Sequence, residues 1–123
     1  MELIKAGKLV VLPTETVYGI AVNLASGEAR EAARRIKKLT MDANAPLPPP
    51  PRWVVHVAQP EQVLQWAGDI SALGKRLISK SMPGPVAFDI KLSPAAAEAA
   101  RKRLGDAADE TLAEGRITLR CRI

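Results

Sequence analysis

Apolar residues recur along this chain in two rhythms, and the rhythm assigns most of the elements. Leu9-Val10-Val11-Leu12 is an unbroken apolar run, which suits a strand buried on both faces better than one with a wet side, so residues 8–12 are expected to form such a strand. A short helix stopped by Gly7 should lead into it. After Ser26, a good N-cap, Ala29, Ala32, Ala33, Ile36 and Leu39 fall at three- and four-residue spacing. That spacing predicts a helix with one buried stripe and with Arg30, Arg34 and Lys38 on the open side. Residues 53–57 read as a further strand. Pro60 then opens a helix over 61–66, and Asp69 is the expected cap of another through Ile70, Leu73, Leu77 and Ile78, stopped by Pro83-Gly84-Pro85.

The second half is more regular. Val86, Phe88, Ile90 and Leu92 alternate with Ala87, Asp89 and Lys91, the pattern of a strand with one exposed face. Ser93-Pro94 supplies an N-cap and a first-turn proline for an alanine-rich helix to Leu104, closed by Gly105. Over residues 116–123 the two faces separate completely: Ile117, Leu119, Cys121 and Ile123 point one way, Arg116, Thr118, Arg120 and Arg122 the other. The alternation of strands and helices predicts an α/β domain with a twisted, open, mixed β-sheet and flanking helices. Between its halves lies the proline-rich loop 41–52, where Pro48-Pro49-Pro50-Pro51 forbids both helix and ladder and favours an extended polyproline II linker or mobile loop.

Composition narrows the class. A chain of 123 residues, 47% apolar and 25% charged, has room for a single domain with a real core. Its one cysteine, Cys121, sits within an apolar alternation, so a packed core thiol in a reducing cytoplasm is expected. No secretory signal opens the sequence and no apolar run reaches membrane-spanning length. The formal charge is +5, from 18 basic and 13 acidic residues, which favours polyanionic partners. The excess is clustered in Arg34, Arg35, Lys37 and Lys38, in Arg101, Lys102 and Arg103, and in Arg116, Arg120 and Arg122. The first two clusters have the ordinary explanation of solvated faces. In the third, three guanidinium groups on one strand face repel one another unless water or an anion lies among them.

Candidate chemistry begins where the first apolar run stops. Pro13 ends that strand, and Thr14, Glu15, Thr16 and Tyr18 follow at its carboxyl end, where open α/β sheets bind ligands. Hydroxyls that merely cap local turns are the rival account. His56, on a valine-rich strand, has the rival account of a satisfied core histidine. No P-loop, dinucleotide fingerprint or zinc-type spacing is present.

Pro13-Thr14-Glu15-Thr16-Val17-Tyr18-Gly19 resembles the signature loop of the YrdC-like family, the threonylcarbamoyl-AMP synthases that make the activated intermediate for the t6A modification of tRNA. Further landmarks follow in order: Val54-Val55-His56-Val57 resembles the family's histidine strand, Met82-Pro83-Gly84-Pro85 its Trp-Pro-Gly-Pro turn, and Thr118-Leu119-Arg120-Cys121-Arg122 its Thr-Val-x-Val-Arg strand. The resemblance implies a YrdC-like fold and a nucleotidyltransferase reaction joining L-threonine, bicarbonate and ATP, with Mg²⁺ entering as part of the ATP complex and no tightly bound cofactor. Carried over residue by residue, Thr14, Tyr18, His56 and Arg122 would meet the substrate threonine, and Lys37 and Thr118 the nucleotide. Two departures imply impairment. The family's Lys-x-Arg-Pro motif falls on Lys37-Lys38-Leu39-Thr40, so its arginine and proline are gone, and the chain is expected to lack the C-terminal part of the family domain that carries Ser-x-Asn. An open end of that kind would invite self-association or a partner chain. The alternative that the resemblance leaves is a non-catalytic module binding tRNA or double-stranded RNA.

Overall fold

The computed structural model describes residues 2–14, 16–39 and 52–121. The chain forms two compact units, Met1–Pro51 and Arg52–Ile123. The proline-rich stretch lies outside the described residues except for Arg52.

In the first unit, helix α1 (Glu2–Lys5) is followed by Gly7 at φ +73°, the left-handed conformation that ends helices, and by strand β1 (Val10–Leu12). Strand β2 (Gly19–Ala21) returns antiparallel to β1 in the register Val10↔Ala21, Val11↔Ile20, Leu12↔Gly19. The expected two-sided burial of β1 is therefore corrected. The strand belongs to a two-stranded ribbon, with Val11 55% and Leu12 43% exposed. An apolar run records the side chains of a strand and not the number of its neighbours, so a ribbon and a central strand look alike in sequence.

Helix α2 (Gly27–Leu39) starts as expected, with the Ser26 hydroxyl accepting from the Ala29 N–H at 3.2 Å. Its buried stripe is displaced. Ala29 and Ala33 are buried, but Arg30 is only 7% exposed, while Ile36 is partly exposed and Leu39 is 84% exposed. Arg30 was expected on the open side; instead its guanidinium donates to the Leu24 carbonyl, an acceptor that the segment before the helix supplies six residues upstream. A long arginine stem can line a core while its head finds a carbonyl.

The second unit is built on a three-stranded sheet of order β3-β5-β4, with β3 (Val55–Val57) parallel and β4 (Ala87–Lys91) antiparallel to the central β5 (Arg116–Cys121). The mixed sheet and flanking helices agree with the α/β class read from the alternation. Ile117, Leu119 and Cys121 are fully buried, and α3 (Pro60–Ala67) packs against β5 and β3 with Val63 and Ala67 inward. Gln62 closes the start of α3 by accepting from the N–H groups of Ala58 and Gln59 at 2.9 and 3.1 Å.

Helix α4 (Ala72–Ser81) is capped by Ser71, whose hydroxyl accepts from the Gly74 N–H at 3.1 Å. The cap is therefore Ser71 and not Asp69, the residue expected from the sequence. Of the apolar stripe foreseen for α4, Ile78 is buried while Leu73 and Leu77 stand exposed. Gly84 in the turn that follows is sterically required, since a Cβ there would lie 2.7 Å from the Ser81 carbonyl oxygen. Helix α5 (Pro94–Leu104) has the foreseen bounds, with the Ser93 hydroxyl accepting from the Ala96 N–H at 3.2 Å and Gly105 at φ +53°. A 3₁₀ turn (Gly105–Ala107) and the short α6 (Ala108–Thr111), unread in the sequence, bring Glu110 to Trp53, whose indole N–H donates to its carboxylate at 2.8 Å.

Candidate functional site

The antiparallel return of β2 makes residues 13–18 the connection of a hairpin, and Thr14 shapes it. The Thr14 N–H donates to the Val17 carbonyl at 3.2 Å, and its hydroxyl oxygen accepts from the N–H groups of Thr16 and Val17 at 3.3 and 3.2 Å. The same hydroxyl donates to the Val17 carbonyl. Threonine side chains bond in this way to the backbone two or three residues on, so the capacity of this hydroxyl is used inside the loop. What the loop presents outward is Val17, 69% exposed, and Tyr18, 76% exposed. Glu15 lies outside the described residues.

Lys37 is also in the first unit, exposed on the last turn of α2 beside Lys38, where cations complement the carboxyl end of the helix. Leu39 ends that turn in solvent. One turn earlier, Glu31 pairs with Arg34 at 3.0 Å and with Arg35 at 3.5 Å. The Arg34 hydrogen bond is the largest cause holding the Glu31 carboxyl below its ordinary pKa of 4.5; burial opposes it, and the Arg35 hydrogen bond and the charges of both arginines add to the lowering. Half of the first basic cluster is thus a solvated ion-pair network.

His56 and Thr118 lie in the second unit, on the polar face of its sheet. Burial alternates strictly along β5, with Arg116, Thr118 and Arg120 half-buried opposite the core row. Register places His56 of β3 and Ala87 of β4 on either side of Arg120, Asp89 beside Thr118, and Lys91 beside Arg116. His56 is exposed, so it is no core histidine. Arg122 lies outside the described residues.

The repulsion expected along the arginine row is relieved at one end by the protein itself. Arg116 Nε donates to Asp89 Oδ2 at 2.8 Å, and its Nη2 to the Asp89 carbonyl at 3.3 Å. Thr118 Oγ1 is 3.5 Å from Asp89 Oδ1, at the outer limit of a hydrogen bond. Arg120 Nη2 donates to the Pro85 carbonyl at 3.3 Å. The part played by Asp89 was missed in the sequence, although its position as a lone acid on the polar side of β4 was the available signal.

In the second basic cluster, at the end of α5, Arg101 and Arg103 have local partners. Arg101 pairs with Asp109 at 2.9 Å, and the Arg103 guanidinium lies 5.2 Å from the centroid of the Trp66 ring. The two side chains border a shallow cavity of about 100 Å³ floored by Gly68, Ala96 and Ala100. Among the described residues no group of three His, Cys, Asp or Glu side chains is arranged to hold a metal ion, and no helix is long and apolar enough to cross a membrane. Against known families, residues 2–108 match the Sua5/YciO/YrdC model, described as telomere recombination.

Proposed function

The chain belongs to the Sua5/YciO/YrdC family, and on that premise we propose that it binds L-threonine and an adenine nucleotide in the manner of a threonylcarbamoyl-AMP synthase, with a weakened hold on the triphosphate. The observation that carries this reading is the complete loop 13–19, with a turn organised by Thr14 that leaves Tyr18 facing outward. In this reading the Tyr18 ring packs against the aliphatic part of the substrate and Thr14 keeps the loop in shape as well as meeting the ligand. Thr118 serves the nucleotide.

The reaction forms a bond from a carbamate oxygen to the α-phosphorus and breaks the bond from that phosphorus to pyrophosphate. Positioning and charge neutralisation supply most of the catalysis, and Mg²⁺ arrives with ATP as part of the substrate. Leu39, standing where the family motif has an arginine, cannot offer charge to the leaving group. Binding of threonine and AMP should therefore outlast turnover of ATP. Calorimetry with L-threonine, AMP and ATP tests this, with heat expected for the first two and about tenfold weaker threonine binding in Tyr18→Ala, a loss of about 1.4 kcal/mol. Absence of heat for all three ligands would overturn it.

A further inference from the structure

On the polar sheet face of the second unit, Arg120 has no counter-charge among the described residues. Arg116 has Asp89 at 2.8 Å, and the other oxygen of that carboxylate is turned toward Thr118. Lys91 is exposed and can be balanced by solvent. Arg120 is different, because it is half-buried and has no carboxylate among the described residues. Its guanidinium makes one hydrogen bond, a long one of 3.3 Å to the neutral Pro85 carbonyl, and its buried Nε makes none. A guanidinium carries five donors and stays ionised, and partial burial strengthens its attraction for an anion relative to water.

The surroundings suit a small oxyanion. Register puts Ala87, whose side chain is a single methyl group, on one flank of Arg120 and His56 on the other. Thr118, two residues earlier on the same face, has a hydroxyl only loosely engaged at 3.5 Å. We propose that Arg120 is an anion-binding residue of the second unit, receiving a phosphate group on the sheet face together with the Thr118 hydroxyl. Phosphate fits this set better than carboxylate, since it accepts from donors in several directions whereas a single guanidinium fork satisfies a carboxylate. Arg120 occupies the unspecified position of the Thr-Val-x-Val-Arg pattern, so the residue is a property of this chain. Identifying the phosphate as that of a nucleotide rests on the function proposed above, while the anion site itself rests on the charge balance of the sheet.

The full chain titrated at constant ionic strength with inorganic phosphate, AMP and L-threonine, followed by calorimetry and by backbone amide shifts, tests the site. Phosphate and AMP should both move the amides of residues 118–121. Arg120→Met should weaken both at least tenfold with little effect on L-threonine, and Arg120→Lys should fall between. Lys91→Met, which removes an exposed cation from the same sheet, should stay within twofold of the wild type. Equal losses in Arg120→Met and Lys91→Met, or amide shifts confined to other segments, would overturn the proposal, as would wild-type protein that binds no phosphate. If AMP binds and Arg120→Met leaves it unchanged, the anion site fails and the functional reading stands. If phosphate binds through Arg120 while L-threonine and AMP give no heat, the reverse holds. Should Arg120→Met not fold, the wild-type amide shifts and Arg120→Lys decide.

Discussion

The two units spend their residues differently. The first carries the most recognisable loop of the chain on a ribbon whose apolar side chains stay partly in solvent, and its buried described residues are Ala29, Arg30 and Ala33. The second carries a core of large side chains, including Val63, Ile78, Ile117 and Leu119, beneath a polar sheet face. A loop can therefore be held by a few backbone and hydroxyl bonds, whereas a row of charges needs a rigid sheet to keep its members at fixed spacing. A two-stranded ribbon alone is marginal in water, while three strands with a covered face are not.

The sharpest way to break this contrast is to truncate one strand in each unit. Leu119→Ala should cost about 2–5 kcal/mol in urea denaturation of the second unit, whereas Val11→Ala should stay within about 0.5 kcal/mol. Comparable losses would mean that the ribbon is as tightly packed as the sheet. A finer comparison sets two helix caps side by side, Ser93→Ala against Ser26→Ala, each expected to lose about 1 kcal/mol because each hydroxyl accepts one first-turn N–H at 3.2 Å.

Within the loop, Thr14→Val removes the oxygen that accepts from Thr16 and Val17, so the Val17 amide should exchange faster with solvent while amides of β5 keep their rate. Thr14→Ser should restore protection. Asp89→Asn, by contrast, should change stability by less than about 1 kcal/mol, because the Arg116 pair is partly solvated. The smallest effect concerns acid. The Glu31 pKa is lower in the folded chain than in the unfolded one, so its contribution to stability is complete above the ordinary value of 4.5 and fades as pH falls through the lowered one. Glu31→Gln should flatten the helix signal in that acid range, and an unchanged acid limb would dissociate the pair from α2.

How well the sequence foretold each region follows from the distance over which its determinants act. Helix α5 and strand β5 were legible because a cap, a proline, a glycine and a strict alternation are local facts. Strand β2 and α6 were not, since Gly19–Ala21 and Ala108–Thr111 are too short to establish a period. Arg30 was misplaced because its acceptor, the Leu24 carbonyl, depends on the conformation of the segment before the helix. Among the candidate residues, the order of Thr14, Tyr18, His56 and Thr118 was readable as a resemblance to one family. The engagement of the Thr14 hydroxyl needs backbone conformation, and the pairing of Arg116 with Asp89 needs the register of strands 27 residues apart, so neither was available.

The position of β5 has a consequence for synthesis. Strands β3 and β4 do not pair with each other; both pair with β5, which is the last of the three to be made. While a ribosome is still extending the chain through residues 87–115, the earlier two strands have no ladder to join. Assembly of this half must therefore wait for Cys121 to clear the exit tunnel, and until then its edges depend on chaperones or on speed to avoid unwanted pairing.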